Sequence, residues 1–426
     1  MVIASFLISL FAFLLIGVPV SFSLLLTSFV LMLVLDLNTF QVIPQNMIVG
    51  TDNYALMAIP FFMMAGEIMT AGGLSKRIVD FANELVGYVR GGLGYATVIS
   101  GMIFAGVSGT AVADTSAIGS ILAPVMLKEG YDKEKSTALI CAAGCIGPII
   151  PPSYPMILYG VLAGVSIAKL FLGGFLPGII AGLGIMSIWY FIVRKEGYQP
   201  KTTIKFSGKR LLKSFLGAIW ALILPVIILG GIVSGVFTPT ESGVIAVFYA
   251  LFVCLFIYKE LSIKDIPQIL IKSARSTAVV IFVAATASSV AYMVTVGHVP
   301  QDLASFLLGI TQNKYAILLL IDILLLAVGC VLDLTPAMLI FGPIFVPLVK
   351  SIGIDPLFFG IIMVIVLCIG LITPPVGTVL YVGCGLTKIT MMNLAKALLP
   401  YILLYVALLF FLTLMPQLVL FIPNLF

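Results

Sequence analysis

Charge is what this chain has least of. Charged residues make up 9% of its 426, and the excess of 22 Lys and Arg over 17 Asp and Glu leaves a formal charge of only +5. A solvated globular surface carries roughly 25% charged residues, so that class is excluded, and no basic stripe exists to hold nucleic acid. Histidine occurs once, and none of the six cysteines forms a CxxC pair. That removes the basis for an imidazole–thiolate metal centre or a disulfide framework. Cys141, Cys145, Cys254, Cys330, Cys368 and Cys384 all lie in apolar runs and read as small packing residues.

What is present is apolar, at 62% of residues, which describes a polytopic membrane protein of helices. The first run begins at Val2 with no basic segment ahead of it and is followed at once by a second apolar run. A cleaved signal peptide is therefore not expected, and the run should stay as an anchor.

The chain contains one long stretch twice. Residues 106–177 overlay 329–400 without a gap at a constant offset of 223, and nine of fifteen coincident positions are Gly or Pro. Gly106/Gly329, Gly130/Gly353, Asp132/Asp355, Gly147/Gly370, Pro151/Pro374 and Pro152/Pro375 are among them. Shared greasiness does not produce such a match, because Gly and Pro fix backbone shape. In hydrocarbon an unpaired peptide group costs several kcal/mol, so a Pro-Pro in mid-membrane survives only where protein or a polar cavity receives the freed carbonyls. Two such breaks in matching halves point to a transport site.

The expected division has four parts. Residues 1–53 are N-terminal scaffold helices, with Gln41 to Tyr54 as a polar stretch. Residues 54–193 are repeat one, with an amphipathic arm helix at 74–89, a re-entrant hairpin at 94–127 and a broken helix at 136–164. Residues 194–275 are a charged loop and central scaffold helices, ending in a second interfacial piece, Ile263 to Arg275. Residues 276–426 are repeat two, with its hairpin at 315–349 and its broken helix at 357–385. An upstream match at an offset of 225 pairs MTAGGLSKRIVDF with VTVGHVPQDLASF. Setting the loop from Arg194 to Lys213 in the cytoplasm makes the repeats antiparallel, with both termini periplasmic. On that topology 19 Lys and Arg fall inside and only Lys169, Lys314 and Lys350 outside.

Oxygen-bearing residues cluster at the hairpin tips and helix breaks. They are Ser108, Gly109 and Thr110 with Pro151 and Ser153 in repeat one, and Asp333 and Thr335 with Thr373 and Gly377 in repeat two. Half-helix ends and unwound carbonyls there can form a neutral shell for a small hard cation such as Na⁺, which gives two expected sites. The plainer reading of these hydroxyls is helix capping. Asp114, Thr115, Ser116, Tyr154 and Thr378 flank the clusters, and Glu67 and Asp322 are further intramembrane carboxylates. Such carboxylates are functional candidates by default, although Glu67 and Asp322 could equally tie helices together. An intramembrane aspartyl protease is disfavoured, because no YD or GxGD context surrounds any of them.

These motifs resemble the large membrane subunit of TRAP (tripartite ATP-independent periplasmic) transporters. The resemblance covers essentially the whole chain and rests on IPFFMMAGEIM (59–69), GMIFAGVSGTAVADTSAIGSIL (101–122), GPIIPPS (147–153), GVFTPTESG (235–243) and GLITPPVGT (370–378). It implies an all-α fold of two inverted repeats and a secondary importer, not an enzyme, in the bacterial inner membrane. Such an importer carries small organic acids, carboxylates or sugar acids, driven by Na⁺ and moving as an elevator. It also implies a periplasmic substrate-binding protein and a small four-helix membrane subunit, here expected as a separate chain. The Na⁺ role carries over to the tip and break residues named above. The alternatives are a self-sufficient divalent-anion/Na⁺ symporter, whose tips carry Ser-Asn-Thr where this chain has Gly109, and a channel or structural membrane subunit.

Overall fold

The computed structural model describes residues 2–37, 39–197 and 206–425, and every element of secondary structure among them is a helix. The middle of the expected charged loop, residues 198–205, lies outside the described residues. Eight described helices are long and apolar enough to cross a bilayer, two of them being the second arms of hairpins.

Hairpin one is Gly92–Ser108 followed by Ala111–Lys128, and hairpin two is Lys314–Gly329 followed by Leu334–Ser351. Each leads into a helix that breaks: Lys133–Gly144 then Tyr154–Ala163, and Pro356–Leu371 then Thr378–Thr387. The repeated Gly and Asp explain the shared turn between hairpin and break. Gly130 and Gly353 adopt φ of +89° and +75°, which reverses the chain without a Cβ penalty. Two residues later Asp132 and Asp355 cap the next helix, accepting from the Lys135 and Leu357 amides at 2.8 Å each. Both Pro-Pro bonds, 151–152 and 374–375, are cis.

The first halves of the broken helices form the centre of the molecule. Every residue of 136–144 and of 357–371 is buried. The second halves are exchanged between repeats: Tyr154–Ala163 of repeat one packs on the second arm of hairpin two, and Thr378–Thr387 of repeat two packs on the second arm of hairpin one. The long helices Ile167–Glu196 and Met391–Leu414 each pack on the first halves of both broken helices. This exchange makes the two hairpin-and-break units one interlocked core.

Around it stand Val20–Val34, Val42–Thr51, Ala58–Ala71, Gly208–Val233, Pro239–Phe252 and Ile266–Val296, which pack chiefly on one another and, for Gly208–Val233, on the arm helix. The turn before Pro239–Phe252 is fixed by a capping box. Thr238 Oγ1 accepts from the Glu241 amide at 3.3 Å, and the Glu241 carboxylate accepts from the Thr238 amide at 2.7 Å. The arm helix, Leu74–Val86, is tied to this outer layer by Arg77–Glu260 at 2.5 Å and Arg210–Glu84 at 3.5 Å.

Two expectations differ from the structure. The polar stretch from Gln41 to Tyr54 contains a helix, Val42–Thr51, which packs against Ile266–Val296. The interfacial piece expected over Ile263 to Arg275 is no separate element. Pro267 sits in the first turn of a helix that runs unbroken to Val296, because proline is compatible with that turn. Its 31 residues reach roughly 46 Å at ~1.5 Å per residue, well beyond a ~30 Å hydrocarbon core. The counterpart of the arm helix in repeat two is Val299–Ile310, which meets the next helix at 119°. The upstream sequence match at offset 225 had already aligned this segment with the arm.

Candidate functional site

Ser108 ends the first arm of hairpin one, Gly109 turns the chain at φ +63°, and Thr110 caps the second arm by accepting from the Ala113 amide at 3.2 Å. The Ser108 hydroxyl donates to Asp114 Oδ1 and accepts from the Thr110 amide at 3.2 Å. This tip rests directly on its own break. A Cβ on Gly109 would lie 2.6 Å from the Pro152 carbonyl oxygen and 3.1 Å from Ser153 Cα. Ser153 is buried and caps the next half-helix through the Met156 amide at 3.5 Å. Glycines let the two segments close together: a Cβ at Gly144 would strike Thr115 Oγ1, and one at Gly147 would reach Asp114 Oδ2 at 2.4 Å.

Tip two repeats the arrangement with different side chains. Asp333, which the offset of 223 aligns with Thr110, precedes Leu334–Ser351, and its Oδ1 accepts from Thr378 Oγ1 at 3.0 Å. The Val376 amide donates to the Cys330 carbonyl at 3.1 Å, seating break two on tip two. A Cβ on Gly370 would fall 2.3 Å from the Gly329 carbonyl carbon, so the two backbones touch. Gly377 holds φ +51° beside the Thr373 carbonyl, and Thr373 Oγ1 donates back to the Ile369 carbonyl at 2.7 Å. The Thr335 hydroxyl is 2.9 Å from that of Tyr154, across the exchange between repeats.

Both junctions therefore concentrate hydroxyl, carboxylate and carbonyl oxygens where backbone approaches backbone. Asp114 Oδ2 is buried without a hydrogen-bond partner. An all-oxygen donor set with an orphaned carboxylate oxygen fits Na⁺, a hard cation.

Beside tip one lies a cavity of about 430 Å³, bounded on one side by Ser108, Thr110, Ser116 and Ser120 and on the other by Glu67 and Lys272. Glu67 pairs with Lys272 at 2.6 Å. Reading the sequence for carboxylates alone missed Lys272, although an intramembrane Glu implies a cation within reach. Asp322 is not drawn to either tip by its bonding. It is buried in the first arm of hairpin two, and Thr413 Oγ1 donates to its Oδ2 at 2.8 Å, a tie between helices.

Residues 7–418 match the family described as the tripartite ATP-independent periplasmic transporter, DctM component. The chain belongs to the DctM family. This DctM chain is 43% identical over 406 residues to the 2,3-diketo-L-gulonate TRAP transporter large permease protein YiaN of Escherichia coli, covering 95% of each. It is 36% identical over 410 residues to the sialic acid TRAP transporter large permease protein SiaM of Vibrio cholerae, covering 96% of each. Among solved structures, the YdaH transporter of Alcanivorax borkumensis superposes with a TM-score of 0.63 at 15% identity, covering 86% of each chain, a likeness of fold. The DctM chain is thus an all-α, multi-pass inner-membrane protein of two inverted repeats with an elevator-type fold. It is the membrane component of a secondary transporter for small organic anions, not an enzyme.

Proposed function

We propose that this chain imports a small organic acid, a carboxylate or sugar acid, by coupling its entry to Na⁺ at two sites. The substrate arrives from a periplasmic binding protein, and a separate four-helix membrane subunit completes the transporter. Tip one with break one offers Ser108, Gly109, Thr110, Pro151 and Ser153 to one ion, and tip two with break two offers Asp333, Thr335, Thr373 and Gly377 to the other. Bound Na⁺ supplies positive charge that draws two oxygen-rich backbone turns together and favours an anion nearby. The observation that carries this reading is the seating of each tip on its own break, at Gly109 on Pro152 and at Val376 on Cys330.

The interlocked core supports movement as one body against the outer helices. Exchange of Tyr154–Ala163 and Thr378–Thr387 between repeats ties each site to the other repeat's hairpin, which supports the two sites moving together. An elevator stroke carries both ion shells intact and exchanges which side the cavity faces. Both chain termini are periplasmic on this reading.

The test is uptake into proteoliposomes holding both membrane subunits, with 2,3-diketo-L-gulonate and sialic acid as probes. Uptake should need an inward Na⁺ gradient and the binding protein together. Uptake at full rate without a binding protein would favour the self-sufficient symporter instead, and uptake indifferent to Na⁺ would remove the coupling.

A further inference from the structure

Adjoining the cavity beside tip one is a second, of about 310 Å³, lined by Leu261, Asp265 and Gln268. Three residues line both, namely Glu67, Thr70 and Lys272. The Glu67–Lys272 pair therefore stands at the neck between the tip and the surface reached through the second cavity. The start of Ile266–Val296 falls on the cytoplasmic side of the topology drawn from the basic residues. Lys272 is the single cation among the described residues lining either cavity. Ser116, Ser273 and Ser276 line the inner cavity with it and carry hydroxyls that can donate to an anion, whereas that of Ser120 donates to the Ala117 carbonyl at 2.9 Å.

We propose that Lys272 is the anion-selecting residue of this neck, taking the carboxylate of the departing substrate, and that Glu67 holds its ammonium when the path is empty. This deepens the transport reading and rests on it. The two side chains are unequally placed: that of Glu67 is 24% exposed and that of Lys272 65%. The carboxylate is the fixed member, while the lysine stem is free to turn toward an arriving anion. While the anion is in the neck two carboxylates face one ammonium, and once it leaves the Glu67–Lys272 pair closes again. A bare lysine would hold the anion too well, whereas Glu67 competes for the ammonium and returns the anion to water. The neck thus conducts anions without storing them.

The test uses thiol reagents of opposite charge and needs no substrate. Ser116→Cys, in the transporter with its native cysteines replaced, is treated in inside-out vesicles with the anionic 2-sulfonatoethyl and the cationic trimethylammonioethyl methanethiosulfonates. The neutral methyl reagent normalises for access. Lys272→Gln should lower the anionic-to-cationic rate ratio about tenfold, since a unit charge a few ångströms from the path acts at low effective dielectric. Glu67→Gln should raise the ratio, and Lys272→Arg should keep it. A ratio unmoved by Lys272→Gln, or lowered as far by Lys272→Arg, overturns the proposal. Labelling requires no turnover, so absent uptake with the expected ratios defeats the transport reading and leaves the anion-selecting neck standing.

Discussion

Replacing Gly109 by Ala tests whether the junction of tip one and break one holds an ion. Gly109 has φ +63°, and its missing Cβ would lie 2.6 Å from the Pro152 carbonyl oxygen, with the Tyr154 amide nitrogen at 3.3 Å. The left-handed backbone alone costs an alanine roughly 1–2 kcal/mol. Crowding against backbone, which cannot swing aside as a side chain can, adds about 1–3 kcal/mol. The second part falls on the contact between tip and break, and about 2 kcal/mol lost there is roughly thirtyfold in Na⁺ affinity. Gly164→Ala separates the two costs. Gly164 has φ +67° but open space around its missing Cβ, so it pays the backbone part alone. In reconstituted vesicles the Na⁺ concentration for half-maximal uptake should rise at least tenfold in Gly109→Ala and hardly at all in Gly164→Ala. If Gly109→Ala stays within twofold of the parent, or the two variants shift alike, the junction is not the ion site.

Three further predictions follow from other contacts. Tyr154→Phe combined with Thr335→Val should show an interaction of about 1 kcal/mol in a double-mutant cycle on denaturant stability, from the 2.9 Å bond between repeats; strict additivity would mean that the bond contributes nothing. A disulfide between Gly342→Cys and Leu162→Cys, inside the interlocked core, should leave uptake intact. One between Gly106→Cys and Pro225→Cys, joining hairpin one to the outer helix Gly208–Val233, should stop it. Full-rate transport with the second cross-link formed would replace the elevator by local gating. Single cysteines at positions 204 and 425 should be labelled from opposite faces of the membrane, with 425 periplasmic; labelling from one face would undo the inverted topology.

Where the backbone had to do something unusual, the residue types announced it. Gly130 and Gly353 need left-handed φ, Asp132 and Asp355 cap, and the Pro-Pro pairs interrupt helices. All of these reappear at one offset, so hairpins and breaks were legible as a pair. Side-chain partners across the exchange were not. Nothing in the spacing of Tyr154 and Thr335 says that repeat one's second half-helix packs on hairpin two. The segment 263–275 misled because Lys272 and Arg275 among apolar residues in the early turns of a long helix give the same pattern as a helix lying in the interface. Lys272 was hidden for that reason: it lies in the piece read as interfacial, and the long helix carries it instead to Glu67.

The claim that both junctions bind Na⁺ is tested most directly on purified protein, by comparing unfolding temperature in NaCl and in KCl without substrate. A ligand at 100 times its dissociation constant adds about 2.7 kcal/mol to the folded state. The parent should therefore melt several degrees higher in Na⁺ than in K⁺ at equal ionic strength. Ser108→Ala with Thr335→Ala, one change at each junction, should melt alike in both salts. Equal melting of the parent in the two salts, or an undiminished Na⁺ shift in the double variant, would contradict the two-site account.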